Sequence, residues 1–269
     1  MKFTFASQTD SGRVRENNED AVAFDEATQL CVLADGMGGY NAGEVASGMA
    51  VDLVLSDFRC RLAEINAAGI KTHISQAIEK SVEEANQKVF MAALNNPAYA
   101  GMGTTLVVGL FKEDRLFLGH IGDSRCYRLR RNRISQLTRD HTLLQEQLDG
   151  GLLTLKQAKA SPHRNLLTRA LGVQSQIVTE MSEHKVEPGD VYLMCSDGLT
   201  DMVGPGKIEK LLGLKISPNQ RAQRLIQAAN ENGGRDNITV LLINVEATSP
   251  RTGLVTRLLK KMRLITHNK

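Results

Sequence analysis

The sequence predicts an α+β fold built on antiparallel sheets, and three observations carry that expectation. Strand-type apolar runs come in neighbouring pairs joined by short polar turns, as in hairpins: Ala21 to Asp25 with Gln29 to Ala34, Thr104 to Lys112 with Arg115 to Ile121, and Cys126 to Arg130 with Arg133 to Leu137. Two long stretches with helical apolar spacing sit side by side in the chain instead of alternating with strands. Several of the strand-type runs stop at an aspartate beside a glycine.

Composition narrows the class. The chain has 269 residues, of which 42% are hydrophobic, enough for a substantial core. Aromatic residues make up only 4% and Trp is absent, so aliphatic side chains must fill that core. The net charge of +3 is uneven: from Arg251 onward there are six Lys or Arg and no acid, which leaves the preceding residues at −3. A mildly acidic body is poorly suited to nucleic acid. Cys31, Cys60, Cys126 and Cys195 form no CxxC pair, and buried free thiols of a reducing compartment are expected. Met1-Lys2-Phe3-Thr4 does not open the apolar core of a signal peptide, and no run approaches a membrane span. A cytoplasmic protein is expected.

Taken in order, Phe3 to Thr9 reads as the first strand. A polar loop through Arg13, Arg15, Glu16, Glu19 and Asp20 follows. The hairpin 21–34 then places Asp20 at the start of one strand and Asp35 at the end of its neighbour, hence at one edge of an antiparallel pair. The glycines of Asp35-Gly36-Met37-Gly38-Gly39 allow a tight turn, and a helix is expected from Gly43 or Glu44. Ala46, Met49, Ala50, Leu53 and Val54 share one helical face, as do Ile74, Ile78, Val82, Ala85 and Val89. After the hairpin 104–121 come Gly122-Asp123-Ser124-Arg125 and the hairpin 126–137. Residues 138–176 break the pattern with Asp140-His141, a helix near Leu143 to Leu148, Gly150-Gly151 and a second short helix from Leu155. So long a segment between strands suggests a flap over a site. Strands Ile177 to Glu183 and Val191 to Cys195 lead to Ser196-Asp197-Gly198. Helices near Lys207 to Leu212 and around Ala222 to Ala229 precede Asp236-Asn237 and a last strand, Ile238 to Val245. Thr248-Ser249-Pro250 marks a domain end. Beyond it, Leu254, Val255, Leu258, Leu259 and Met262 form an apolar stripe flanked by Arg257, Lys260, Lys261 and Arg263. That basic amphipathic stretch, 251–269, suits an acidic partner or an anionic membrane surface, or packs on its own domain.

Each aspartate alone is an ordinary turn residue. Together, Asp20, Asp35, Asp123, Asp197 and Asp236 all fall at strand ends, with no His or Cys in those loops. An all-oxygen donor set, joined by the Gly36 carbonyl, favours Mg²⁺ or Mn²⁺ over Zn²⁺. More acids than one ion needs suggests a two-metal centre, with a metal-bound hydroxide as nucleophile. Arg15, in the same loop as Asp20, suits a phosphate gripped by two parallel hydrogen bonds. Phosphoester hydrolysis is the inferred reaction. A cysteine phosphatase is excluded, because the positions six residues beyond the four thiols are Met37, Asn66, Asn132 and Asp201, none of them Arg. No GxxxxGK[ST] loop and no kinase HRD or DFG is present.

Arg15 with Glu19-Asp20, Asp35-Gly36-Met37-Gly38-Gly39, Gly103-Thr104-Thr105, Gly122-Asp123-Ser124-Arg125, Ser196-Asp197-Gly198 and Asp236-Asn237-Ile238-Thr239 resemble, in order, the motif set of the metal-dependent type 2C protein serine/threonine phosphatases, most closely the compact bacterial members. The resemblance implies a four-layer α-β-β-α sandwich, two stacked antiparallel sheets flanked by helices, over residues 1–247, with 138–176 as the variable flap and 248–269 as a separate tail. It implies that Asp35 bridges two ions and Gly36 offers its carbonyl to one, while Asp197 and Asp236 complete the other. Asp20 and Glu19 would act through metal-bound waters, Asn237 would stand behind the ligands, Asp123 would serve a third, weaker ion, and Arg15 would bind substrate phosphate. Many eukaryotic relatives carry a proton-donating His where Met37 stands here. A metal-bound water, or His141 from the flap base, is then expected to protonate the leaving group. The implied partners are phosphoprotein substrates and a Ser/Thr kinase whose action is reversed. Two alternatives stay open on sequence: a catalytically inactive binding or sensor module, and a metal phosphatase for a non-protein phosphoester.

Overall fold

The computed structural model describes residues 1–39, 42–68, 74–154, 157 and 166–248. The expected helix from Leu155 and the basic tail 251–269 lie outside the described residues. One sheet has the order β1 (Lys2–Asp10), β11 (Ile238–Glu246), β10 (Val191–Cys195), β7 (Arg125–Arg130), β8 (Arg133–Gln136). The other runs β2 (Asp20–Asp25), β3 (Leu30–Met37), β5 (Leu106–Lys112), β6 (Arg115–Ile121), β9 (Glu180–Lys185), with the short β4 (Gly103–Thr104) paired to β3. Every pairing is antiparallel. Helices α1 (Ala42–Ala68) and α2 (Ile74–Asn95) cover the second sheet. Beyond α3 (Leu143–Asp149) and the single turn α4 (Asp197–Thr200), helices α5 (Pro205–Leu212) and α6 (Pro218–Glu231) cover the first.

Alternation along the strands explains why whole runs are apolar. Leu30, Val32 and Ala34 of β3 face α1 and α2, whereas Cys31 and Leu33 face the other sheet. In β11, Val240 and Leu242 meet α5 and α6 while Leu241, Ile243 and Val245 point between the sheets. Both faces of β3, β5 and β11 are buried over most of their length, so period two leaves few polar positions there. Phe5, Phe111 and Tyr192 fill the space between the sheets, with the Phe111 and Tyr192 rings 5.1 Å apart and edge-on. The helices obey local rules as well. Ser217 and Gln220 form a reciprocal capping box at the head of α6, with Pro218 in the first turn.

Two boundaries and one burial differ from the sequence expectation for physical reasons. Strand β3 continues through Gly36 and Met37 because β4 supplies Thr104 and Gly103 as partners. Strand β9 begins at Glu180 instead of Ile177, where the ladder with His120 of β6 starts; Val178 is 74% exposed. Cys31, Cys126 and Cys195 are buried as expected, but Cys60 is exposed. It lies between the buried Phe58 and Leu62 on α1, so its side chain takes the face turned from the sheet.

The registers gather particular strand ends. Asp20 pairs with Asp35, Asp10 with Ile238, and Cys195 with both Val240 and Arg125. The starts of β2, β7 and β11 and the ends of β3 and β10 therefore meet at one end of the sandwich.

Candidate active site

A cleft of about 300 Å³ opens at that end, lined by Arg15, Glu19, Asp35, Gly36, Asp123, Asp197 and Asp236 among the expected residues. Met37, Gly38, Thr105 and Leu167 complete the lining. Asp20 lies beneath it, with Oδ2 accepting from Ser196 Oγ at 2.8 Å. The other oxygen, Oδ1, is buried with no hydrogen-bond partner among the described residues. An orphaned buried carboxylate oxygen is costly unless a cation or water completes it.

Electrostatics point the same way. Burial, and then the charges of Asp20, Asp197, Asp123 and Asp236, push the Asp35 carboxyl well above the usual range. Asp197 is raised by burial and then by Asp123, Asp201, Asp236 and Asp20. Asp20 is pushed up to about 6 chiefly by burial, against the hydrogen bond from Ser196. Asp123 rises to about 6 through burial and then the nearby Asp140. These groups oppose one another's ionisation, and divalent cations reverse that sign. The donor set is oxygen only, so the residues present fit hard cations of the Mg²⁺ or Mn²⁺ class.

The frame behind the cleft is tied by hydrogen bonds across the whole chain. Asn237 Oδ1 accepts from the Glu19 amide at 2.8 Å, and its Nδ2 donates to the carbonyls of Asn17 at 2.8 Å and Ser11 at 3.1 Å. One side chain thereby shapes the loop that carries Arg15 and Glu19. Arg15 Nη2 reaches Asp236 Oδ2 at 2.9 Å, and that hydrogen bond raises the guanidinium pKa. The Asp35 amide donates to Thr105 Oγ1 at 3.0 Å, and Thr104 Oγ1 donates to the Asp35 carbonyl at 2.9 Å. Gly36 has no room for a side chain: a Cβ would lie 2.1 Å from the Gly43 carbonyl oxygen.

The profile of the family described as "Protein phosphatase 2C" matches residues 9–239. The chain belongs to the protein phosphatase 2C family. It is a metal-dependent protein serine/threonine phosphatase. Serine/threonine phosphatase stp of Listeria welshimeri is 38% identical over 239 residues, spanning 88% of this chain and 93% of that protein. The crystal structure of the Mycobacterium tuberculosis serine/threonine phosphatase PstP/Ppp superposes with a TM-score of 0.82 at 36% identity, covering 92% of this chain and all (100%) of that one. The catalytic domain of PstP in complex with two manganese ions aligns at a TM-score of 0.78 and 36% identity, over 91% of this phosphatase and 99% of that chain.

Of the expected site residues, Asp20, His141 and Asn237 do not line the cleft, Asp20 because it lies beneath it. Asn237 acts on the loop, as described. His141 is buried and absent from the cleft lining: its Nδ1 accepts from the Gly122 amide at 3.1 Å, and Nε2 lies 3.1 Å from Glu180 Oε2. With both ring nitrogens engaged, the geometry provides no path from His141 to a leaving group in the phosphatase cleft. Residues that sequence reasoning left without a role are Thr105, Ser124, Ser196 and Thr239. Thr105 and Ser124 share a 2.8 Å hydroxyl contact behind Asp35, and Ser196 links Asp20 to the Thr239 amide, 3.0 Å away. Their signal was membership of the quoted motifs, which gave them no individual role.

Proposed function

We propose that this phosphatase holds two divalent ions, Mn²⁺ or Mg²⁺, between Asp35, the Gly36 carbonyl, Asp197 and Asp236, with Asp20 and Glu19 acting through coordinated water. A third and weaker ion is held at Asp123. The observation that carries the reading is the convergence of five carboxylates, from five different strand ends, on one end of the sandwich, with burial raising the pKa values of Asp20, Asp35, Asp123 and Asp197. Bound there, the ions supply Lewis acidity that brings the pKa of water toward neutrality.

The chain's own groups do the rest. Arg15 stands at the rim, half exposed, where its fork can orient a phosphate monoester. Asn237 and Glu19 hold that loop in place. Met37 offers an apolar wall beside Gly36 and no proton, and with His141 engaged elsewhere the leaving alkoxide takes its proton from solvent held in the cleft. Residues 1–247 constitute the catalytic domain and 248–269 a basic tail for an acidic partner or anionic surface. No helix among the described residues is long and apolar enough to cross a membrane. A cytoplasmic location and opposition to a Ser/Thr kinase complete the proposal.

The test is a substrate panel of phosphothreonine and phosphoserine peptides, cyclic dinucleotides and sugar phosphates, each with Mn²⁺ and with chelator. Manganese-dependent release of phosphate confined to the peptides is expected. Turnover of the small molecules alone would move the protein to the alternative of a non-protein phosphoesterase, and none at all to that of an inactive module.

A further inference from the structure

Outside the cleft, His120, His141 and Glu180 place one potential ligand atom each within 4.8 Å of one another. Such a cluster looks like a transition-metal site, but its protons say otherwise. The Gly122 amide donates to His141 Nδ1, so that nitrogen carries the lone pair and Nε2 carries the proton, which Glu180 accepts. A metal on Nε2 would move the proton to Nδ1 and set two donors against each other. His120 Nε2 lies 2.7 Å from the Arg139 carbonyl, a pure acceptor, so it too is protonated. The two rings stack, with centroids 4.6 Å apart and planes 16° from parallel.

What the cluster grips is the Gly122-Asp123 turn. The His141 amide also donates to the Gly122 carbonyl at 2.9 Å, so both backbone polar groups of Gly122 end on His141. Gly122 has φ +96°, and a Cβ there would lie 2.7 Å from the Thr105 side chain, the same threonine that receives the Asp35 amide. The turn is thus pressed between His141 and Thr105, and it delivers Asp123 to the cleft. Glu180 lies directly across the β6–β9 ladder from His120, which sets the carboxylate that fixes the His141 tautomer. Burial lowers the His141 pKa, which favours the neutral ring that an acceptor at Nδ1 requires.

We propose that His141 is a positioning residue, its tautomer set by Glu180 and its ring plane by His120, which holds the Gly122-Asp123 turn so that the Asp123 carboxylate is preorganised for the weakest divalent ion. The proposal rests on the assignment of Asp123 as a ligand to that ion. Groups that orient metal ligands typically change metal affinity 10- to 100-fold when removed.

The experiment is calorimetric titration of the metal-free protein with Mn²⁺, with bound ions counted by electron paramagnetic resonance and folding followed by circular dichroism. Asp123→Asn serves as reference. His141→Phe keeps the stack but offers Gly122 no acceptor, whereas His141→Asn restores an oxygen near the Nδ1 position. Glu180→Leu frees the tautomer, whereas Glu180→Gln retains an acceptor for Nε2–H. His141→Phe and Glu180→Leu are expected to weaken only the last Mn²⁺ by roughly tenfold or more, with the Asn and Gln variants close to wild type. If Asp123→Asn removes an ion while Glu180→Leu and His141→Phe bind like wild type, the positioning role is overturned and the ligand assignment survives. Unchanged binding in Asp123→Asn overturns both. Equal weakening of every site, or no rescue by Asn and Gln, reduces the cluster to a purely structural one and also overturns the proposal. Should His141→Phe fail to fold, the Glu180→Leu and Glu180→Gln pair decides alone.

Discussion

Asp20 and Asp35 sit directly opposite each other across the β2–β3 ladder. Like charges in register destabilise an antiparallel pair, and here one Asp20 oxygen is also buried without a partner among the described residues. The proposed divalent ions would remove both costs. Asp35→Asn is therefore expected to abolish Mn²⁺-dependent hydrolysis of a phosphothreonine peptide while raising the melting temperature in chelator. Each kcal/mol of relieved repulsion corresponds to about 2–4 °C. A variant that keeps wild-type turnover would remove Asp35 from the centre.

The pH dependence of stability should change sign with metal. Asp20 and Asp123 rise from an ordinary 3.8 to about 6 in the folded protein. Between those values the folded state binds more protons than the unfolded one, so the metal-free protein loses stability as pH rises. The loss is on the order of 2–3 kcal/mol for each group. With saturating Mn²⁺, protons compete with the ions and stability rises with pH over the same window. Melting temperatures at about pH 4.5 and 7.5, with chelator and with Mn²⁺, test both signs.

Arg15 should act on substrate more than on the fold. It is about half exposed, at 52%, and touches the protein through Asp236. Removing a charge-assisted hydrogen bond to phosphate costs about 1.5–3 kcal/mol, or roughly 10- to 150-fold in kcat/KM. Arg15→Ala is expected to show that loss mainly through KM, with the melting temperature unchanged. Arg15→Lys should recover only part of it, because an ammonium lacks the two-pronged geometry. Unaltered kcat/KM for phosphopeptides in Arg15→Ala would disprove the assignment.

Far from the cleft, Arg130 sets a purely structural test. Its Nε and Nη2 both reach the Asp190 carboxylate at 2.7 Å, and the Asp190 side chain is only 1% exposed. Burial alone would raise the Asp190 pKa, but the Arg130 fork outweighs it and holds the carboxyl below its usual value. Arg130→Met leaves that charge buried and unpaired, which costs about 3–5 kcal/mol. The wild-type contribution is present above the unfolded pKa and is lost as pH falls through the folded one. Denaturant midpoints should drop while kcat/KM, measured well below the midpoint, stays at the wild-type value.

Much of the fold was legible because its signals are local. Paired apolar runs with short turns marked the hairpins, and the limits of β6 and β10 match the residues at which polarity changes. Errors arose where pairing came from elsewhere. Nothing near Gly36-Met37 announces β4 as a partner, and the apolar Ile177-Val178 imitates a strand that has no neighbour there. His141 shows the same limit at the site. Its place beside Asp140 at the flap base suggested a proton donor, and only its bonds to Gly122 and Glu180 reveal an inward-facing ring.

The sequence by itself determined that acids stand at strand ends beside glycines, that the core is aliphatic and layered, and that the side chains offered by those acid motifs are oxygen donors. These follow from side-chain type and period, which each short segment carries within itself. Only the tertiary structure decided which acids face one another, which oxygen is left unpaired, and which hydroxyls and amides hold them. Those relations join residues as distant as Glu19 and Asn237, or Asp20 and Ser196. They exist only once antiparallel registers and the stacking of two sheets have brought remote strand ends to one place.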